Sequence, residues 1–296
     1  MSDVDGALLL DKPLGLTSNA ALQQAKRLFG ARKAGHGGTL DPLASGLLMV
    51  LFGEATKFAG PLLDGDKEYL ATLQMGAATT TGDAEGEVVE RGPTDMTEAD
   101  VRAVLQRFRG EIEQVPPMFS ALKRDGVPLY KLARRGEEVE RSARRVTIKE
   151  LELVGGSPLR PELRIRCSKG TYIRSLAQDI GVALGSKAHL AALRRTASGR
   201  FQIGEAATLE RLGAMSPAER RPRLRSLAEL LVGLPRAELD APSAARLRNG
   251  QALAIPGLGE GVYGIYGPQG VVIGLGRSDG TNLHPLRLTQ TTEKHR

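Results

Sequence analysis

The sequence predicts an α+β protein, with strands and helices interspersed over residues 1–234 and a small all-β module over residues 235–296. Three observations carry this prediction. Strictly alternating segments such as Lys67 to Met75 stand beside segments of helical period such as the one opening at Thr97. After Leu234-Pro235 the pattern turns to short strands broken by glycines. The chain, 296 residues long and 41% hydrophobic, is large enough to bury a sizeable core.

In order, Ala7 to Leu10 is an apolar strand ending at Asp11-Lys12-Pro13. Thr17-Ser18 offers an N-cap to a helix running through Phe29, with Leu22, Ala25 and Phe29 on one side. A glycine-rich stretch from Gly30 to Gly38 leads into Thr39-Leu40-Asp41-Pro42. Leu47 to Phe52 reads as a buried strand and Ala55 to Ala59 as a short helix. Tyr69, Ala71, Leu73 and Met75 share one face of the next strand. Thr97-x-x-Asp100 is a capping box for a helix carrying Val101, Val104, Leu105 and Phe108, and Gly110 stops it. The stretch from about 114 to 146 has three prolines (Pro116, Pro117, Pro128) and weak periodicity, and reads as a long insertion or arm. Strands return at Val146 to Val154 and Glu162 to Ser168, followed by a helix from Ile173 to about Leu184. The C-terminal strands are Gly261 to Tyr266, Val271 to Leu275 and Pro285 to Leu288, and the last half-dozen residues read as disordered.

Composition narrows the function. The longest apolar run, Leu47 to Phe52, falls far short of the ~20 residues that cross a bilayer. No basic residue precedes Lys12, so the N-terminus does not read as a secretory signal, and a soluble, cytoplasmic protein is expected. Cys167 is the only cysteine, which excludes an intrachain disulfide and a cysteine zinc site; alternation points it to the buried side of its strand. The histidines (His36, His189, His284, His295) show no metal-ligand spacing, so no metal is expected. Net charge is +7, and it is clustered. Pro116 to Lys149 holds nine Lys/Arg against four Asp/Glu. Lys187 to Arg200 holds four bases and no acid, and Glu219 to Arg225 four arginines against one glutamate. Such clusters favour a phosphate backbone as partner.

The densest candidate for chemistry is Gly35-His36-Gly37-Gly38-Thr39-Leu40-Asp41-Pro42-Leu43-Ala44-Ser45-Gly46. Its glycines let a bulky partner approach the backbone, and the proline keeps Asp41 out of helical geometry. By itself Asp41-Pro42 reads as a turn. A phosphate loop is excluded, because no Gly-Lys-Ser/Thr follows the glycines.

This segment closely resembles the catalytic motif of the bacterial tRNA pseudouridine synthase B family. Four further segments resemble that family in the same order: Asp11-Lys12-Pro13-x-Gly15-x-Thr17-Ser18; Lys67-Glu68-Tyr69 with Ala71; Arg166-Cys167-Ser168-Lys169-Gly170-Thr171-Tyr172-Ile173-Arg174-Ser175-Leu176; and His189-Leu190-x-x-Leu193-Arg194-Arg195-Thr196. The resemblance implies the pseudouridine synthase fold, a mixed, mostly antiparallel sheet with flanking helices and an RNA cleft, followed by a PUA-like RNA-binding module. It implies isomerisation of the T-loop uridine at position 55 of tRNA by base flipping. No cofactor or metal is needed, because the product is an isomer.

By the same resemblance Asp41 is the catalytic carboxylate. Attack at C1′, addition to the base, and action as a base toward the sugar all remain open. Arg174 matches the arginine that pairs with it, and Tyr69 the active-site tyrosine that stacks on the flipped uracil. Tyr172 and Leu193 match pocket residues, His36 the residue that inserts into the T loop, and Lys57 a lysine near the entrance. The 114–146 insertion matches the segment that clamps RNA. A monomer acting on tRNA without a protein partner is expected. Two competing functions are a non-catalytic tRNA-binding or tRNA-folding protein and a guide-dependent synthase; the insertion favours the stand-alone type.

Overall fold

The computed structural model describes residues 4–60, 64–120, 122–124, 126–133 and 135–290. The expected disorder of the last six residues, and Arg134 of the basic insertion, lie outside the described residues. The main sheet is built from β1 (Gly6–Lys12), β2 (Ala34–Gly37), β3 (Ala44–Phe52), β4 (Lys67–Met75), β5 (Gly110–Gln114), β6 (Arg144–Ser157), β7 (Arg160–Cys167) and β8 (Ala188–Ser198). Its path runs from the short strand Ala207–Thr208 through β1, β3, β8, β4, β7 and β6 to β5. Ala207–Thr208 against β1, and β8 against β3, are parallel; the other pairs along the path are antiparallel. The sheet is therefore mixed and mostly antiparallel, as expected.

Both faces of its centre are buried, which explains the uninterrupted apolar runs of β1 and β3. Leu8, Leu10, Leu48 and Val50 face a core shared with helices α1 (Ser18–Phe29), α2 (Glu98–Gln106) and α3 (Ile173–Ala183). Ala7, Leu9, Leu47, Met49 and Leu51 face a second core, closed by Phe58, Leu230, Tyr266, Val272 and Leu275. The last three belong to a five-stranded C-terminal sheet, so that sheet packs directly on the back of the main one. It runs Arg236–Glu238, Glu260–Tyr266, Val272–Asp279, Asn282–Leu288, Leu253–Ala254, parallel only at its first pair. The module is not wholly β. A helix, Ala241–Arg248, buries Ala244 and Leu247 against it, capped by the Asp240 side chain and carrying a proline in its first turn.

Several elements follow the sequence closely. The Thr97 capping box is present, although its helix ends at Gln106 and leaves Phe108 beyond it. β4 buries Tyr69, Ala71, Leu73 and Met75 on one face. Cys167 is fully buried, and burial pushes its thiol up to about 11, which makes it inert. The central strand β8 is the main element that periodicity does not reveal. Arg194 and Arg195 occupy its middle, where a strand in the centre of a sheet ordinarily carries apolar residues. Gly46 is what lets β3 and β8 approach: its φ is +103° and a Cβ there would lie 2.3 Å from the Arg195 carbonyl oxygen.

Candidate active site

Asp41 sits in the loop joining β2 to β3, and the N-terminal motif holds that loop. The Ser18 hydroxyl donates to the Leu40 carbonyl (2.9 Å) and accepts from the Leu40 amide (2.7 Å). The Gly15 amide donates to the Pro42 carbonyl at 2.9 Å, and the Ala44 amide closes the turn on the Asp41 carbonyl at 3.0 Å. Asp11 takes a bidentate pair from Arg194 of β8, at 3.0 and 2.7 Å.

Arg174, in the first turn of α3, meets the carboxylate. Its Nη2 lies 3.0 Å from Asp41 Oδ2, and its Nε lies 3.7 Å from Asp83 Oδ2. Nη1 donates to the Thr81 carbonyl at 2.9 Å and Nη2 to the Phe119 carbonyl at 2.6 Å. The Arg174 and Asp83 side chains are 6% and 4% exposed, whereas Asp41 keeps 42% of its surface. The arginine is thus a rigid buried fork, and Asp41 is the carboxylate presented to a ligand. Burial raises the Asp41 carboxyl above its ordinary value; Arg174 opposes the rise and Asp83 adds to it. Asp83 was not among the residues that the sequence singled out.

Asp41 opens onto a cavity of about 570 Å³ between the sheet, the Ser168–Ile173 loop and the base of the insertion. Tyr69, Tyr172, Arg174 and Leu193 all line it with Asp41. Tyr69 lies on β4 between Ile165 of β7 and Arg195 of β8. Burial raises its phenol above the ordinary value, and Arg195 opposes this by charge and hydrogen bonding. The backbone of Tyr172 is held from both sides by the buried Gln114 amide, which accepts from its N–H at 3.1 Å and donates to its carbonyl at 3.3 Å. The tyrosine is thereby fixed two residues ahead of Arg174.

Two anticipated residues lie off the cavity wall. His36, on β2 opposite Val50, comes two residues before Gly38, which does line the cavity. Burial, then the Arg195 charge, lowers its pKa, and its Nδ1 is buried with no partner. Lys57 turns away: its ammonium holds Glu54 at 2.8 Å and the Leu288 carbonyl of the C-terminal sheet at 2.9 Å.

The basic clusters divide in the same way. Arg144 and Arg145 of the insertion reach the cavity wall with Lys67, Lys169, Arg174 and Arg195, against Asp41 as the one carboxylate there among the described residues, and Arg145 also pairs with Glu111 at 3.3 Å. The other two clusters are spent largely inside the protein. Lys187 pairs with Glu90 and Arg194 with Asp11. Arg220 holds the Leu28, Leu212 and Met215 carbonyls, and Arg225 pairs with Glu205 and Glu229. Guanidinium groups suit this task because one planar fork satisfies several helix-end carbonyls at once.

Comparison with known proteins agrees with this geometry. Three family models cover the chain: the TruB family pseudouridylate synthase N-terminal domain over residues 26–173, the tRNA pseudouridylate synthase B C-terminal domain over 174–234, and the tRNA pseudouridine synthase II C-terminal domain over 234–288. The proteins named tRNA pseudouridine synthase B of Aromatoleum aromaticum and Azoarcus sp. are 56% and 53% identical over 292 and 288 residues. Each comparison covers 97% of this chain, and 94% and 96% of the respective relatives. The fold matches a chain of the solved Cbf5–Nop10–Gar1 complex with a TM-score of 0.74 at 27% identity, covering 96% of this chain and 84% of that one. A chain of the archaeal box H/ACA Nop10–Cbf5 complex gives 0.75 at 26% identity, covering 97% and 86%. An arginine-held carboxylate at a basic cavity, a mixed sheet shared with these structures, and family matches from residue 26 to residue 288 lead to one assignment. The chain belongs to the TruB family of pseudouridine synthases.

Proposed function

We infer that this protein is a tRNA pseudouridine synthase, an isomerase that converts the T-loop uridine at position 55 to pseudouridine with Asp41 as its catalytic carboxylate. The observation that carries this reading is the Asp41–Arg174 pair at 3.0 Å on the wall of a cavity lined by six cations. The reaction breaks the N1–C1′ bond, turns the uracil and joins C5 to C1′. One proton leaves C5 and one arrives at N1, so atoms and electrons balance without a redox or energy cofactor.

Arg174 opposes the burial that raises the Asp41 carboxyl and so favours its ionised form. A uracil must leave its stack to enter, at a cost of a few kcal/mol. Stacking on Tyr69, worth about 1–3 kcal/mol, offsets part of that cost. Leu193 supplies an apolar wall, and Arg144, Arg145 and Lys169 face the phosphates that flank the flipped nucleotide. His36, a strand-end residue beside the cavity, enters the space that the nucleotide vacates. Lys57 serves to hold the C-terminal sheet. We divide the chain into a catalytic domain over 1–234 and an RNA-binding module over 235–296. It acts as a cytoplasmic monomer that needs no protein partner.

The test is pseudouridine mapping on an unmodified tRNA transcript with the purified protein and nothing added. Carbodiimide labelling followed by reverse transcription is expected to give a stop at the T-loop uridine. Tight binding without any stop would sink the catalytic reading. A second expectation concerns the insertion. Replacing Arg144 and Arg145 by Gln should weaken tRNA binding and flatten its log–log salt slope by roughly 1–2. An unchanged slope would mean that these arginines do not touch phosphate.

A further inference from the structure

The segment Asp64-Gly65-Asp66, which leads into β4, meets four cations beside the cavity. Asp64 Oδ1 lies 2.6 Å from the Lys169 ammonium. Asp66 Oδ2 lies 2.7 Å from Lys149 Nζ and 3.9 Å from Arg166 Nε. Lys67, on the cavity wall, donates to the Gly65 carbonyl at 2.5 Å. Lys169 lines the cavity, and the adjoining strands β6 and β7 carry Lys149 and Arg166. Arg166 keeps a second partner, Glu150, at 3.2 Å. The ion pairs are not what holds the segment. The Gly199 amide donates to the Asp66 carbonyl at 2.7 Å, and a Cβ on Gly65 would lie 2.6 Å from the Gly199 Cα. The backbone therefore fixes the segment against its neighbour whether or not the carboxylates are paired. Nor do the pairs add much stability. The Lys169 and Asp64 side chains keep 61% and 62% of their surface, and pairs so exposed contribute at most about 1 kcal/mol. What the carboxylates do is neutralise cations at the mouth through which a nucleotide reaches Asp41.

We propose that the cavity rim carries two phosphodiester subsites, one at Lys169 and one between Lys149 and Arg166, and that Asp64 and Asp66 fill them until an RNA strand displaces the carboxylates. This rests on the synthase reading above and extends it to the strand flanking the target. A carboxylate and a phosphodiester present anionic oxygens to the same N–H donors, so one can take the place of the other without rebuilding the site. The exchange leaves a small net energy, because RNA reaches Lys169 only by breaking the Lys169–Asp64 pair. A strand is therefore held loosely along the rim. Selection falls to the base that enters the cavity, and the rim does not retain the product.

The experiment measures affinity and dissociation rate for a T stem-loop RNA with the full chain at fixed ionic strength. Asp64→Asn and Asp66→Asn should each bind roughly 2- to 5-fold more tightly, mostly through slower dissociation. Asp64→Glu, which keeps the charge, should bind like the parent, and Lys169→Gln should bind more weakly. Glu98→Gln is the control for net charge, since Glu98 forms an equally exposed pair with Arg102 at 2.8 Å on α2. The decisive comparison uses stem-loops in which one linkage beside the target uridine is a neutral methylphosphonate. In the parent, Lys169 falls back on Asp64 when its phosphate is neutral, so little affinity is lost. In Asp64→Asn it has no such partner, and the loss should be several-fold larger at one linkage. The proposal is overturned if the Asn variants bind no more tightly than Glu98→Gln, or if no linkage shows the larger loss. Pseudouridine made by the parent in that case leaves the synthase reading standing. A parent that shows the linkage effect yet makes no pseudouridine removes the synthase reading and keeps the subsites.

Discussion

Asp41→Asn should lower turnover by roughly 10⁴-fold or more while leaving tRNA affinity within a few-fold of the parent. The substitution keeps the side chain's size and one acceptor oxygen, and removes the charge and the nucleophilic lone pairs. The loop does not depend on that charge: Ser18 holds it through Leu40, Gly15 through Pro42, and the Asp41 carbonyl takes the Ala44 amide. Binding should not depend on it either, because the phosphate contacts proposed above run through Arg144, Arg145 and Lys169 rather than Asp41. A loss of that size corresponds to about 5.5 kcal/mol of transition-state stabilisation. Single-turnover assays on a T-loop transcript, with binding measured by filter retention, provide the check. Appreciable turnover in Asp41→Asn would remove the carboxylate from the chemical step. Parallel loss of binding would mean that Asp41 shapes the cavity more than it reacts.

The second large effect is expected at Arg174, and it shows in stability as well as in rate. Arg174→Ala leaves Asp83, 4% exposed, without its cation, and the Thr81 and Phe119 carbonyls without their donor. Breaking a buried pair by removing one partner costs about 3–5 kcal/mol. For a chain of this size Tm should fall by roughly 10 °C.

The pH dependence has a definite sign. The Asp41 carboxyl is already raised in the folded protein, chiefly by burial and against Arg174. A raised carboxyl favours the folded state fully below its unfolded pKa, and that contribution is lost as pH rises through the folded value. Without Arg174 the folded value climbs further. The stability deficit of Arg174→Ala should therefore be largest near neutrality and shrink as the pH falls through the raised value of the carboxyl. Residual activity should gain its acid limb at higher pH than in the parent. Arg174→Lys should recover part of the stability and little of the rate, since an ammonium cannot span both carboxylates and two carbonyls. Denaturant titrations at pH 4 and pH 7 test the sign; a deficit equal at both would show that packing, not charge, is what Arg174 supplies.

Much of this was legible in the sequence because it depends on local chemistry. The period of β4, the Thr97 capping box and the Asp41-Pro42 turn each follow from residues within a few positions of one another. Asp41, Tyr69, Tyr172, Arg174 and Leu193 could be singled out by motif, and all five line one cavity. Distances along the chain had no bearing on the rest. Asp83 meets Arg174 across 91 residues, and Gln114 grips the Tyr172 backbone across 58. Lys57 turned to Leu288 because the C-terminal sheet packs on the back of the main one, a contact that no pattern near Lys57 encodes. The basic clusters show the same divide. Composition counted the charges, but only the fold could spend Arg194, Arg220 and Arg225 on internal partners and leave Arg144 and Arg145 at the cavity. The sequence determined which groups exist and which backbone each can adopt, since hydrogen bonding and side-chain sterics act over a few residues. The tertiary structure decided which charges are desolvated together, because burial and Coulomb energy depend on distance in space.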